Sequence, residues 1–126
     1  MPRQSVEIDL FNPIGPYSHA IRHKGHLYLS GTPGVNPETG SIISSNPFEQ
    51  ALQALRNLVL MVEAAGGGES DFVSIQVHLI NTEHFEMVNS AFEEVFSQPY
   101  PARTVLGVSS LPKPGALLTI SGVAVL

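Results

Sequence analysis

The sequence predicts an α+β fold, with two helices laid on one face of a sheet, and three observations carry that prediction. Apolar residues recur at helical spacing after Asn46-Pro47 and again after Asn81-Thr82. Apolar runs of strand length stand before, between and after those segments. Clusters of turn-forming residues separate all of them.

From Ile21 to Ser30 the Lys24-Gly25 step divides two short strands, so a hairpin opens the fold, with Gly31 closing the run. Residues 31–40, Gly-Thr-Pro-Gly-Val-Asn-Pro-Glu-Thr-Gly, are a loop. Asn46 then caps a helix that has Pro47 at its first position, and Phe48, Ala51, Leu52, Leu55, Leu58, Val59 and Val62 form its apolar stripe. Gly66-Gly67-Gly68 stops it. Phe72 to Ile80 is strand, and Asn81-Thr82 caps a second helix reaching about Phe96, with Phe85, Val88, Phe92, Val95 and Phe96 as its buried stripe. Thr104 to Val108 and Leu117 to Leu126 are the last strands, with Leu111-Pro112-Lys113-Pro114-Gly115 turning between them.

At 126 residues the chain is expected to form one domain, 1–126. Hydrophobic residues make up 43% and charged residues 13%, a balance that drives collapse rather than disorder. Two helices cannot cover both faces of a sheet, and the low surface charge agrees with an apolar face buried against another copy, so a homo-oligomer is expected. With 6 basic and 11 acidic residues the net charge is -5, which repels a phosphate backbone and makes nucleic acid a poor partner. The chain has no cysteine, which excludes a disulfide framework, a thiolate metal site and a cysteine nucleophile. Met1 to Leu10 lacks the apolar core of a secretory signal and no apolar stretch is long enough to span a bilayer, so cytoplasmic localisation without membrane contact is expected.

Four stretches then resemble the RidA (YjgF) family: Ile14-Gly15-Pro16-Tyr17-Ser18; Ser30-Gly31-Thr32 leading into Val35-Asn36-Pro37-Glu38-Thr39-Gly40; Glu63-Ala64-Ala65-Gly66; and Tyr100-Pro101-Ala102-Arg103 with Leu111-Pro112-Lys113. Their order spans nearly the whole chain. The resemblance implies a chorismate mutase-like fold, with two helices on one face of a mixed sheet of about six strands, and a homotrimer with a central barrel and pockets between subunits. It also implies hydrolysis of small reactive enamine or imine carboxylates to 2-keto acids and ammonia, without cofactor or metal.

Arg103 is one of four arginines, and its planar fork suits bidentate binding of a carboxylate. The resemblance makes it the anchor of the substrate carboxylate. Tyr17 follows Gly15-Pro16, a constrained step that aims its phenol; the resemblance places it in the pocket from an adjacent subunit, and adds Ser30, Gly31 and Asn89 to the wall. The chain departs from the family at its last strand, where active members carry Glu-x-Glu and this sequence reads Thr119-Ile120-Ser121. Both hydroxyls fall on one strand face. They can orient water but cannot act as a general base near neutral pH. Thr32 and Val105, also expected to bind substrate, stand where relatives often carry glutamine and cysteine. The alternative is a trimer that binds carboxylates, such as a 2-keto acid, without turning them over.

Other signals are discounted. His19, His23 and His26 cluster near a turn with no acidic residue among them, a pattern more common at surfaces than in metal sites. Gly66-Gly67-Gly68 lacks the lysine and hydroxyl context of a phosphate loop. Glu93-Glu94 reads as a solvated helix face.

Overall fold

A computed structural model describes residues 2–126. Six strands, β1 (Gln4–Ser5), β2 (Ala20–His23), β3 (His26–Thr32), β4 (Phe72–Leu79), β5 (Ala102–Gly107) and β6 (Leu118–Val125), form one sheet in the order β1-β2-β3-β6-β4-β5. Helices α1 (Pro47–Ala64) and α2 (Phe85–Val95) cover one face. The sheet is mixed, because β4 pairs β5 in parallel and the other pairings are antiparallel. A parallel pair needs a crossover between its strands, and α2 supplies it.

Local chemistry sets the boundaries. Lys24 and Gly25 both adopt positive φ, 50° and 77°, the geometry of a two-residue hairpin turn whose twist matches its strands. The Asn46 side chain accepts the Glu49 N–H at 3.0 Å, capping α1 as the Asn-Pro step predicts. At the other end Gly66 takes φ 98° and the N–H of Gly67 returns to the Val62 carbonyl, which closes the helix. The second helix starts later than expected. Asn81 accepts the N–H of Glu83, two residues on, which closes a short 3-10 turn over Thr82–His84 before α2 begins at Phe85. The two-residue β1 was too short to leave a periodic signal.

Strand alternation separates two faces. Leu27, Leu29, Ile75, Val77, Leu79, Leu118, Ile120 and Ala124 are buried beneath the helices with Leu55, Leu58, Met61 and Val62 of α1. Tyr28, Gln76, Leu106, Thr119 and Ser121 stand on the opposite face by register. Tyr28 and Leu106 are 47% and 52% exposed there, so that side lacks a cover. Phe85 departs from the predicted buried stripe of α2 and is exposed, while Val88, Ala91 and Phe92 are buried.

The core also holds two amides that apolar periodicity passes over. Gln50, fully buried on α1, donates to the carbonyls of Ser44 at 2.7 Å and Gly115 at 3.0 Å and accepts the Leu117 N–H at 2.9 Å. Asn57 donates to the Val35 carbonyl at 2.9 Å and accepts from Gln53. One helix thereby holds the loop after β3 and the turn before β6. Gly34 packs so closely on Gln50 that a methyl there would sit 2.7 Å from its carbonyl carbon.

Replacing Gln50 by Leu strands one N–H and two carbonyls in the core, so Gln50→Leu should lose about 3 kcal/mol of stability and lower the melting temperature by roughly 10 °C. Arg56→Ala, at an exposed position of the same helix, should change stability by less than about 0.5 kcal/mol. Thermal and urea unfolding of the two variants checks both values.

Candidate active site at the edge of the sheet

The side of the sheet that Arg103 occupies follows from pairing. In the parallel β4-β5 ladder Arg103 lies opposite Ile75 and Val105 opposite Val77, both core positions, so Arg103 and Val105 point to the helix side. Strand β5 is the edge of the sheet, which leaves Arg103 beneath α2 yet next to open solvent. Phe85 and Phe92 are two helical turns apart on α2 and present their rings to it. The guanidinium carbon lies 5.3 Å from one ring centroid and 4.8 Å from the other. Each such contact is worth about 0.5–1 kcal/mol at a partly exposed site.

These rings hold the guanidinium without consuming its donors. Among the described residues no protein carboxylate pairs with Arg103, and the influence on its titration is burial, which pushes its pKa down from the usual arginine range. The group stays charged at working pH. It opens on a cleft of about 450 Å³ lined by Glu86, Asn89, Phe92, Glu93, Tyr100 and Pro101. The arrangement is a half-buried, pre-positioned cation with free donors, suited to a small planar anion.

A second group of expected residues gathers elsewhere. Gly31 sits at an irregularity of the β3-β6 ladder, and a methyl on it would lie 3.8 Å from the Thr119 hydroxyl. Ser121 is two residues along on the same face as Thr119, paired with Gln76. Ser30 donates its hydroxyl to the Ser18 carbonyl at 2.6 Å, tying this corner to the segment that bears Tyr17. Tyr17 is exposed, and its hydroxyl accepts the Ile14 N–H at a long 3.4 Å. Thr32 does not join either group. It is buried opposite Ile120, with its hydroxyl donated to the Ser30 carbonyl at 2.8 Å, so it offers a ligand nothing.

Two sets therefore exist in one chain: Arg103, Asn89 and Val105 on the helix side, and Gly31, Thr119 and Ser121 on the other. Strand β4 separates β5 from β6, which puts Arg103 and Thr119 on strands about 10 Å apart, on opposite faces. Two of the three clustered histidines are engaged locally. His19 donates to the Phe11 carbonyl at 2.6 Å and His26 contacts the Lys24 carbonyl at 3.2 Å. Among the described residues no three His, Asp or Glu side chains converge as metal ligands, and no helix is long and apolar enough to cross a membrane.

Sequence reasoning missed Glu86 and Tyr100; Glu93 is exposed, as the solvated-face reading expects, and it also borders the cleft. The available signal was spacing: positions 86, 89 and 93 share one helix stripe, and Asn89 already belonged to the expected site.

The family model described as Endoribonuclease L-PSP matches residues 7–126. A 2-iminobutanoate/2-iminopropanoate deaminase of Dermatophagoides farinae is 39% identical over 101 residues, covering 80% of this chain and 79% of that protein. The crystal structure of RidA from an Antarctic Psychrobacter superposes with a TM-score of 0.92 at 33% identity, covering 98% of this chain and 99% of that one. The structure of E. coli TdcF with bound serine superposes with a TM-score of 0.88 at 29% identity, covering 98% of each chain.

Because Arg103 has no carboxylate partner among the described residues, Arg103→Met should alter stability by at most about 2 kcal/mol, the summed worth of its two ring contacts. Phe92→Ala, which empties a buried ring site beside it, should cost about 3–5 kcal/mol. Chemical denaturation of both variants distinguishes a residue kept for binding from one kept for packing.

Proposed function

We propose, since the chain belongs to the RidA (endoribonuclease L-PSP) family, that it hydrolyses small enamine or imine carboxylates to 2-keto acids and ammonia, with Arg103 anchoring the substrate carboxylate. The observation that carries this reading is the free, half-buried Arg103 guanidinium opening on its cleft. An iminium carbon is already electrophilic. Water adds to it, and the carbinolamine collapses to a carbonyl as nitrogen leaves as ammonium. The protein's task is then to hold carboxylate and water in register, and such positioning can supply several kcal/mol of the barrier.

The two sets of residues form one site only across two copies. We infer that the β5 edge of one copy, with Arg103 and Asn89, meets the Tyr17, Gly31 and Thr119 corner of the next, in a homotrimer whose uncovered sheet faces line a central barrel. The uncovered face with Tyr28 and Leu106 supports such an assembly. In it, Thr119 and Ser121 hydroxyls and the backbone around Gly31 hold the water, and Tyr17 closes the pocket. Val105 packs against the core and shapes the wall behind Arg103.

A second reading is a trimer that binds small carboxylates without turnover. The hydroxyls at 119 and 121 favour it, because neither can take a proton as a carboxylate does, and general acid/base help is worth about two to four decades in rate. The name of the family model points to RNA cleavage, but a net charge of -5 opposes binding a polyphosphate.

The test is ammonia and keto acid release from imines generated in situ by an amino-acid oxidase. The parent should accelerate release, Arg103→Ala should lose at least about 100-fold of that acceleration, as expected for an anchor that positions the reacting carbon, and Thr119→Glu should raise the rate. No acceleration by the parent, with carboxylate binding intact, would select the binding protein instead.

A further inference from the structure

We propose that Glu86 and Glu93 make the Arg103 cleft selective for ligands bearing a cationic nitrogen, so that it favours a zwitterion over a keto acid or a dicarboxylate. The proposal rests on the reading of Arg103 as a carboxylate anchor. Both glutamates line the cleft, three residues before and four after Asn89 on one stripe of α2. Their backbones lie about 10 Å apart along the helix, seven residues at 1.5 Å each, with Asn89 between them.

Neither glutamate closes an ion pair with Arg103, and no lysine or second arginine lines the cleft. The positive and negative poles of the cleft thus remain separate. A ligand that places a carboxylate on Arg103 and a cationic nitrogen on the adjoining carbon brings one charge to each pole. A keto acid satisfies the arginine and leaves the glutamates facing a neutral carbonyl. A dicarboxylate sets its second anion against them.

The same pattern orders a deamination. Its substrate enters as an iminium carboxylate of zero net charge and leaves as a monoanionic keto acid plus ammonium, so the glutamates hold the substrate and favour release of the product. Both side chains are exposed. Their field is therefore screened by water and salt, and the preference is a matter of several-fold.

Equilibrium binding of L-alanine, pyruvate and malonate, measured by calorimetry or NMR titration, tests this. The three share one carboxylate and differ in the neighbouring charge. The parent should bind L-alanine roughly fivefold more tightly than pyruvate and bind malonate most weakly, with the spread shrinking as salt rises. In the double variant Glu86→Gln/Glu93→Gln, alanine and pyruvate should bind equally and malonate should gain about fivefold or more. An unchanged ranking in that variant would overturn the proposal. Arg103→Met should lose all three ligands; if it kept them, the anchor reading itself would fall, whatever the ranking.

Discussion

Parallel pairing between β4 and β5 is the constraint on which the candidate site depends. That register sets Arg103 opposite a core residue and so turns it toward α2, while position at the edge of the sheet denies it the full burial that such an orientation would otherwise bring. An arginine deep in the core would demand a carboxylate partner, and one on the outer face would be solvated and unplaced. Here two phenylalanine rings lie against the guanidinium, which borders an open cleft. The crossover helix that makes a parallel pair possible is also the element that furnishes the rings, Asn89 and the two glutamates.

The second group of residues depends on a different device. Gly31 and Thr119 meet at an irregularity between β3 and β6, next to loops that have little regular structure of their own. Gln50 and Asn57 reach from α1 to hold those loops by backbone carbonyls and an N–H. Buried amides are costly unless every group is paired, and these are paired. Precision at the loop corner is therefore bought with polar contacts inside an otherwise apolar core.

Much of this was legible in the sequence, for identifiable reasons. The hairpin at Lys24-Gly25, the cap at Asn46 and the stop at Gly66 are chemical signals confined to a few residues, and the structure places each where it was read. The pattern failed where tertiary context decides. Phe85 scored as core by periodicity but lies against a charged group at the sheet edge, and Thr32 looked available until burial opposite Ile120 removed it. Gln50 and Asn57 were invisible because periodicity counts apolar residues only. Glu86 and Glu93 carried a helical-spacing signal, but its meaning required knowing that Arg103 faces the same stripe.

The central claim is that Arg103 and the Gly31-Thr119 corner serve one site contributed by two copies. Mixing subunits tests it most directly. Copies carrying Arg103→Ala and copies carrying Gly31→Trp should each fail to bind L-alanine, whereas oligomers reassembled from an equal mixture should recover binding at about a quarter of their sites, the chance that an intact arginine meets an intact corner. A mixture as inactive as its parts, although co-assembled, would contradict the account and leave Arg103 acting within its own chain.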